Sequence, residues 1–286
     1  MAGTYYWGVD SAAAVTTKIN VGKGKTATLF DYVTDSLKRM PSFWGRYVGG
    51  RHQITPEEAD YIFERSEGKC RILVVYNGTH DNENSVRGKF EAGARDATKA
   101  VVAAAGVGVP GGAMIWGDIE GAWHPTAEWF QGWWDGMYKS PYAGMGGIYC
   151  RPTIPEFYEP YFKALTAASP RKQIDQLRNP FAKKPADRIV TVVLPDPPNR
   201  MRLLWGTRPQ KGSWSNPAAD AMDFSPSCPP PLPGSVALWQ YHIDFLKRQT
   251  SDKFGLIDMD LADQRAYDRM WSSTNSGILD PFAKKT

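Results

Sequence analysis

Short apolar runs alternate with longer amphipathic stretches along most of this chain. The clearest apolar run, 71–77 (RILVVYN), is nearly continuous, which is typical of a strand buried on both faces of a sheet. The stretch 90–105 that follows is rich in alanine and closes at Gly106, which predicts a helix. Another helix is expected after Thr126, because threonine commonly caps helix N-termini. Strands that alternate with helices in this way predict a parallel sheet.

Eight candidate strands can be traced along the chain. They are 6–10, 43–48, 71–77, 113–120, 146–150, 203–206, 236–242 and 256–261. Further helices are expected at 154–168 and 262–271. This pattern predicts an α/β fold, specifically a (β/α)₈ TIM-like barrel with insertions around the sixth strand. We expect one barrel domain over 1–286, with its core at about 6–271, insertions at about 169–202 and 213–233, and a C-terminal tail at 272–286.

Composition narrows the function classes. The net charge is +4, from 34 basic and 30 acidic residues, which is too balanced to predict a nucleic-acid partner. No apolar run reaches the ~18 residues that span a bilayer, so no transmembrane segment is expected. Three cysteines and four histidines lie far apart along the chain, so no structural metal site is expected. Cys70 and Cys150 are interpreted as buried apolar residues. No signal peptide is visible.

The strand 113–120 ends in two acids, Asp118 and Glu120, with one residue between them. On a strand, alternate side chains point to the same face, so these carboxyl groups are expected to lie side by side, ~6.5–7 Å apart along the strand. Burial and mutual repulsion separate the pKa values of two neighbouring carboxyl groups. Glycoside hydrolysis uses such a pair, one group as acid and the other as base.

Other strand ends add to this pair. Asp10 ends the first strand, and Asp258 and Asp260 lie on the eighth, which neighbours the first in a closed barrel. In TIM-like barrels the working residues lie at the C-terminal ends of strands, which makes all five acids candidate catalytic residues. A rim of polar and aromatic residues at other strand ends is expected to bind the sugar. These residues are Arg46, Tyr47, Tyr76, Tyr149, Trp205, Trp239, Gln240 and Tyr241.

Simpler roles are available for several of these residues. One of Asp258 and Asp260 is equally consistent with a cap of the last helix, and Asp10 is consistent with a cap of a turn. Arg46 is equally consistent with a structural ion pair to a neighbouring acid. One cap does not explain two acids on the same strand face, so the Asp118–Glu120 pair is the stronger indication of chemistry.

The ordered motifs resemble a known group, the glycoside-hydrolase-like barrels of the domain-of-unknown-function type, which are related to the glycoside hydrolase family 25 lysozymes. The resemblance runs from about residue 6 to residue 271 and depends on the order and spacing of the motifs. They are Gly8-Val9-Asp10, Gly45-Arg46-Tyr47, the run 93–105 before Gly108-Val109-Pro110, Asp118-Ile119-Glu120, Gly147-Ile148-Tyr149 and Trp239-Gln240-Tyr241.

The resemblance implies roles for the acids. Glu120 matches the general acid of the lysozymes, and Asp118 matches the acid beside it, which orients the substrate acetamide or stabilises positive charge. Asp10 matches the first-strand acid, and Asp258 or Asp260 matches the last-strand acid. The glycoside-hydrolase-like barrels often have aspartate where this chain has Glu120. At this position the sequence therefore resembles the active lysozymes more closely.

The function predicted from the sequence is a glycoside hydrolase that acts on bacterial cell-wall peptidoglycan, a muramidase without metal or cofactor. The alternative is a catalytically silent barrel that binds wall glycans or serves in a phage or injection-type delivery assembly. Hydrolysis of a different polysaccharide is a third option. The expected site of action is the cell envelope or the outside of the cell, reached by an export route that the sequence leaves open.

Overall fold

The structure is a computed structural model that describes residues 4–79, 86–119, 124–142, 146–150, 155–166, 176–178, 189–191, 204–207, 236–242 and 257–274. The strands are β1 (Tyr5–Asp10), β2 (Lys18–Asn20), β3 (Thr26–Thr28), β4 (Phe43–Val48), β5 (Arg71–Tyr76), β6 (Ile115–Asp118), β7 (Gly146–Cys150), β8 (Gln176–Arg178), β9 (Ile189–Thr191), β10 (Leu204–Thr207), β11 (Val236–His242) and β12 (Asp258–Asp263). The helices are α1 (Leu29–Leu37), α2 (Pro56–Arg65), α3 (Phe90–Gly106), α4 (Ala127–Tyr138), α5 (Pro155–Thr166) and α6 (Gln264–Tyr267).

A closed barrel organises the molecule. Its strands follow one another around the ring in the order β1, β12, β11, β10, β7, β6, β5 and β4. The parallel pairs β1–β4, β4–β5, β5–β6, β6–β7, β7–β10 and β10–β11 form most of the ring. This arrangement confirms the predicted α/β barrel-like class.

The last strand corrects the expectation of a regular (β/α)₈ barrel. Strand β12 runs antiparallel to both β11 and β1, whereas the prediction made all eight strands parallel. An antiparallel neighbour needs no crossover helix, and among the described residues no helix lies between β11 and β12. A repeating βα pattern therefore accounts for the barrel only as far as β11.

Most predicted boundaries agree with the structure to within two residues. The strands at Phe43–Val48, Gly146–Cys150 and Val236–His242 coincide with their predicted ranges. Thr126 caps α4 as expected, since its side chain accepts a hydrogen bond from the Trp129 N–H. The last helix begins two residues later than predicted, because the strand before it continues to Asp263, which caps the helix, and it ends already at Tyr267. Most residues of the two expected insertions lie outside the described residues. The described part of the first insertion contains β8 and β9, which pair in a separate two-stranded sheet.

Two apolar layers result from the alternation of side chains along the strands. One layer fills the barrel and contains Phe43, Leu73, Trp116 and Leu238. The other layer lies between the strands and the surrounding helices. It contains Trp44 and Val74, which directly follow Phe43 and Leu73 in the sequence. Each barrel strand therefore has an inner and an outer face, and this alternation decides which strand-end residues can meet at the mouth.

Helices α3 and α4 make the closest helix contact, at glycine positions. A Cβ atom on Gly93 would lie 2.0 Å from the Trp129 carbonyl oxygen, and one on Gly132 would lie 1.9 Å from that of Phe90.

The predicted burial of Cys70 and Cys150 is confirmed, while Cys228 lies outside the described residues. In the described part of the chain, no helix is both long and apolar enough to cross a membrane.

Candidate active site at the barrel mouth

Asp10 and Asp258 meet at one edge of the barrel. Asp10 is the last residue of β1, and Asp258 is the first residue of β12. Because β12 runs antiparallel, its first residue lies at the edge where β1 ends, and the two aspartates are direct partners across the strand pair. Their side chains therefore share one face of the sheet, as predicted for the first-strand acid and one acid of the eighth strand.

Gln240 connects these two carboxylates. Its Nε2 donates to Asp10 Oδ2 at 3.0 Å and to Asp258 Oδ2 at 3.1 Å, and its Oε1 accepts from the Tyr149 hydroxyl at 3.2 Å. The two carboxylate oxygens share one donor nitrogen, so they lie no more than about 6 Å apart. The three contacts also fix which way the amide points, since carboxylates only accept and the phenol here donates.

Asp260 lies one layer deeper on the same face. It is fully buried and pairs in register with Gly8 on one side and with Gln240 on the other. The absence of a side chain at Gly8 is required by Phe43, because a Cβ atom there would lie 2.5 Å from the aromatic ring. The structure therefore places Asp260 under the Asp10–Asp258 pair. Neither Asp258 nor Asp260 caps α6, because that cap is Asp263.

Asp118 ends β6 on the opposite side of the mouth. It is 2% exposed and pairs in register with Tyr149 of β7, which links it to the Gln240 side of the site. Asn77 Nδ2 donates to Asp118 Oδ2 at 3.1 Å, and the Thr79 hydroxyl donates to the Asp118 backbone carbonyl. Asn77 and Thr79 were not predicted as site residues. The signal that identifies Asn77 is a polar residue directly after the apolar strand β5.

Glu120 lies outside the described residues, as does its relation to Asp118. Strand β6 ends at Asp118, so the expectation that both acids lie on one strand face stays a prediction.

The absence of a side chain at Gly45 makes room for Asp10. The two residues pair across β1 and β4, and a Cβ atom on Gly45 would lie 2.5 Å from the Asp10 Cβ atom. Contacts this short do not occur in folded proteins, so any larger residue at this position has to displace the aspartate. The Gly45-Arg46-Tyr47 motif thus contributes to the site first through its glycine.

Arg46 was expected at the sugar-binding rim, and the structure places it elsewhere. It lies on the outer face of β4, where its Nε and Nη2 bind the two carboxylate oxygens of Glu58 at 2.7 and 3.2 Å. Its Nη1 donates to the Ser11 carbonyl oxygen at 2.6 Å. Arg46 and Glu58 are 2% and 5% exposed, so this is a buried structural ion pair that holds the segment after Asp10.

Three further rim candidates also face away from the acids. Tyr76 stacks on Trp133 of α4 at 6.1 Å between ring centroids, and Trp239 and Tyr241 belong to the layer between strands and helices. Burial raises the pKa of the Tyr241 phenol, and the hydrogen bond from the Trp7 indole opposes that rise. The alternation of side chains explains the correction, because residues next to an inward-facing position on a strand point outwards.

The remaining rim candidates lie on the inner face or in register with it. Tyr149 and Tyr47 contact the apolar layer inside the barrel. Trp205 pairs in register with Tyr149 and Leu238, both of which belong to that inner layer. Gln240 makes the acid side of the mouth polar, and Tyr47 and Tyr149 add aromatic rings to the inner face.

Two neutral amide groups, Gln240 Nε2 and Asn77 Nδ2, donate to these carboxylates. An N–H donor favours the ionised form of a carboxylate without adding charge, so the site is suited to stabilise a positive charge that develops on a ligand. Among the described residues, no group of three or more His, Cys, Asp or Glu side chains is arranged to hold a metal ion.

Solved structures of proteins from several bacteria are similar to this chain. An uncharacterized protein of B. stearothermophilus is 23% identical with a TM-score of 0.62, and the match covers 93% of this chain and 100% of that one. The Tat-secreted protein Rv2525c of Mycobacterium tuberculosis is 16% identical with a TM-score of 0.47, over 91% of this chain and 95% of that one. The modular autolysin LytC of Streptococcus pneumoniae is 11% identical with a TM-score of 0.42, over 90% of this chain and 46% of that one.

The sequence was also compared with curated proteins and with models of protein families. No curated protein matches this chain. The family model of the Rv2525c-like, glycoside hydrolase-like domain matches residues 38–260, which is well over half of the 286 residues. The matched range contains Asn77, Asp118, Gln240, Asp258 and Asp260. The chain therefore belongs to the Rv2525c-like family of glycoside hydrolase-like domains.

Proposed function

We propose that this protein is a glycoside hydrolase that cleaves bacterial cell-wall peptidoglycan in the manner of a muramidase. The observation that carries the proposal is that three barrel strands present acids on the inner face at one end of the barrel. Asp10 and Asp258 share a donor on Gln240, and Asp118 lies across the mouth from them. Membership of a glycoside hydrolase-like family supports the same reaction class.

The proposed reaction breaks the bond between the anomeric carbon of one sugar and the oxygen that links it to the next. Glu120 donates the proton that the leaving oxygen takes up, and water supplies the hydroxyl that the anomeric carbon gains. The remaining proton of the water returns Glu120 to its acid form by the end of the turnover. Asp118 stabilises the positive charge that develops on the sugar ring, directly or through the substrate acetamide. Asp10 and Asp258, held by Gln240, set the electrostatic environment of both groups. Each turnover produces one new reducing end.

Dye release from labelled cell walls tests the proposal. The wild-type protein is expected to release dye, and Glu120→Gln, Asp118→Asn and Asp10→Asn are each expected to lower the rate by a factor of about 100 or more. Asp96→Asn is the matched control, because Asp96 is a buried acid of α3 that accepts a hydrogen bond from Trp129 far from the mouth. Full lysis by Glu120→Gln would show that the proposed general acid is wrong.

A catalytically silent glycan-binding barrel is the second candidate. The observation that favours it is the engagement of Asp10 and Asp258 by Gln240, since carboxylates fixed by the protein also suit a binding role. Calorimetry with muropeptides, followed by analysis of the same samples for products, separates the two candidates. Tight binding without new reducing ends would favour the silent barrel, and a panel of other polysaccharides would reveal a different substrate.

A further inference from the structure

Asn77 is held in one position beside Asp118. Its backbone N–H donates to the Val48 carbonyl oxygen at 3.2 Å, which continues the pairing of β5 with β4. The next residue is Gly78, where a Cβ atom would lie 2.2 Å from the Tyr76 hydroxyl oxygen. Thr79 then binds the backbone carbonyl of Asp118. The segment 77–79 is therefore fixed at both ends, and the Asn77 side chain has little freedom to find another partner.

The orientation of the Asn77 amide follows from its partner. Asp118 Oδ2 lies 3.1 Å from Nδ2, and a carboxylate oxygen accepts hydrogen bonds but donates none. The reverse orientation would place two oxygens in contact, so the NH₂ group faces Asp118 and the carbonyl oxygen Oδ1 faces the other way.

That carbonyl oxygen is a buried acceptor for which the described part of the chain supplies no donor. Asn77 is 5% exposed, and its Oδ1 has no hydrogen-bond partner among the residues that the structure describes. Buried amide oxygens in native proteins are nearly always paired, because an unpaired one loses its bonds to water and gains nothing in return. A position that keeps such an acceptor next to a candidate catalytic acid is a position where a ligand can supply the donor.

We infer that Asn77 is a substrate-binding residue whose Oδ1 accepts a hydrogen bond from a sugar while its Nδ2 holds Asp118. The donor is an acetamido N–H or a ring hydroxyl, the two donors that a wall glycan presents. This inference rests on the proposed function, because it requires a glycan in the mouth. One amide thereby couples ligand recognition to the orientation of the acid, and a ligand without the donor leaves the acceptor unsatisfied.

The direct test is nuclear magnetic resonance of the intact protein labelled with ¹³C,¹⁵N-asparagine. Saturating triacetylchitotriose is expected to shift the Asn77 ¹³Cγ signal, which reports hydrogen bonding to the carbonyl oxygen. Cellotriose, which carries hydroxyls but no acetamide, distinguishes the donors, since a shift with both sugars indicates a hydroxyl. Asn20 is the internal control, because its Oδ1 already accepts from the Gly22 N–H on the exposed β2–β3 hairpin.

Calorimetry on a variant pair gives the second measurement. Asn77→Ala is expected to bind triacetylchitotriose about tenfold more weakly than the wild type. Asp96→Ala, which removes a buried hydrogen bond in the helix layer instead, is expected to keep the wild-type affinity. The spectroscopic readout uses the unmodified side chain and therefore stands even if Asn77→Ala fails to fold.

The outcomes separate this inference from the proposed function. Saturable sugar binding without a shift of the Asn77 ¹³Cγ signal would overturn the inference and leave the proposed function in place. Absence of binding to both sugars and to purified muropeptides would overturn both.

Discussion

Asp10 and Asp258 face each other across the antiparallel strands β1 and β12, and one amide nitrogen of Gln240 donates to both. Like charges directly opposite each other destabilise a strand pair, and a shared donor offsets part of that repulsion. Tyr149 completes the arrangement by donating to the other end of the amide. Gln240 is thus the residue on which the arrangement of this side of the mouth depends.

Replacement of the Gln240 amide by a carboxylate is expected to lower the stability of the protein. Gln240→Glu removes both donated hydrogen bonds and adds a third acid beside Asp10 and Asp258, so we expect the free energy of unfolding to fall by about 3–5 kcal/mol. Urea denaturation at pH 7 measures the change. Gln53→Glu is the matched control, because Gln53 is exposed and uses its Oε1 to accept from the Gly49 N–H, which a carboxylate also does. Equal stabilities of the two variants would contradict the bridging role of Gln240.

The buried pair Arg46–Glu58 gives a second prediction. Arg46→Ala leaves Glu58 buried without its guanidinium, so we expect a loss of about 3–5 kcal/mol in the free energy of unfolding. Lys69→Ala breaks an exposed pair with Glu67, in which the side chains are 66% and 78% exposed, and is expected to change the free energy of unfolding far less, because solvent screens the pair. Chemical denaturation of both variants compares them. A loss for Arg46→Ala no larger than that for Lys69→Ala would show that the buried pair contributes little.

Arg46 also shows how far sequence reasoning reaches into the site. The sequence places it correctly on the second barrel strand but does not reveal the face that its side chain occupies. That face depends on Gly45 and Tyr47, which point inwards, and on Glu58 of α2, a partner 12 residues away. Strand positions are predictable from local hydrophobic pattern, whereas the partner of a buried charge is a tertiary property.

Gly45 provides a third prediction, on close packing. Gly45→Ala places a methyl group 2.5 Å from the Asp10 Cβ atom, so Asp10 has to move, and we expect a stability loss of about 1–3 kcal/mol together with weaker glycan binding. Gly106→Ala is the control, because no atom lies within 4 Å of the added Cβ atom at the end of α3. Thermal unfolding and muropeptide calorimetry on the pair measure both effects. Wild-type binding by Gly45→Ala would show that the position of Asp10 tolerates displacement.

A fourth prediction concerns alkaline pH. Burial raises the pKa of Tyr142 to about 12, and its hydroxyl donates to the Val109 carbonyl oxygen at 2.8 Å. The folded state therefore keeps this proton after the unfolded chain has lost it, so the contribution is complete below about pH 10 and disappears as the pH rises towards 12.

Unfolding by urea between pH 9 and pH 12 tests this titration. The loss of stability across that range is expected to be smaller in Tyr142→Phe than in the wild type, by up to about 2–3 kcal/mol. The variant starts from a lower stability at pH 9, because the Val109 carbonyl loses its donor. Parallel curves for the two proteins would show that Tyr142 does not titrate in this range.

The antiparallel β12 marks the limit of fold prediction from this sequence. The apolar pattern identifies a strand near 256–261, but strand direction is set by the connection to β11 and by the pairing partners, neither of which the pattern contains. Asn77 marks the same limit in the site. A polar residue after a strand is visible in the sequence, whereas its bond to Asp118, 41 positions along the chain, arises only when β5 and β6 pair.

The most direct test of the central claim is the chemistry of the ends released from purified peptidoglycan. The products are reduced with borohydride and identified by mass spectrometry. The proposed muramidase predicts that wild-type protein releases fragments ending in reduced muramic acid and that Asp118→Asn and Glu120→Gln release almost none. Fragments ending in reduced glucosamine, or no new reducing ends from the wild type, would contradict the claim.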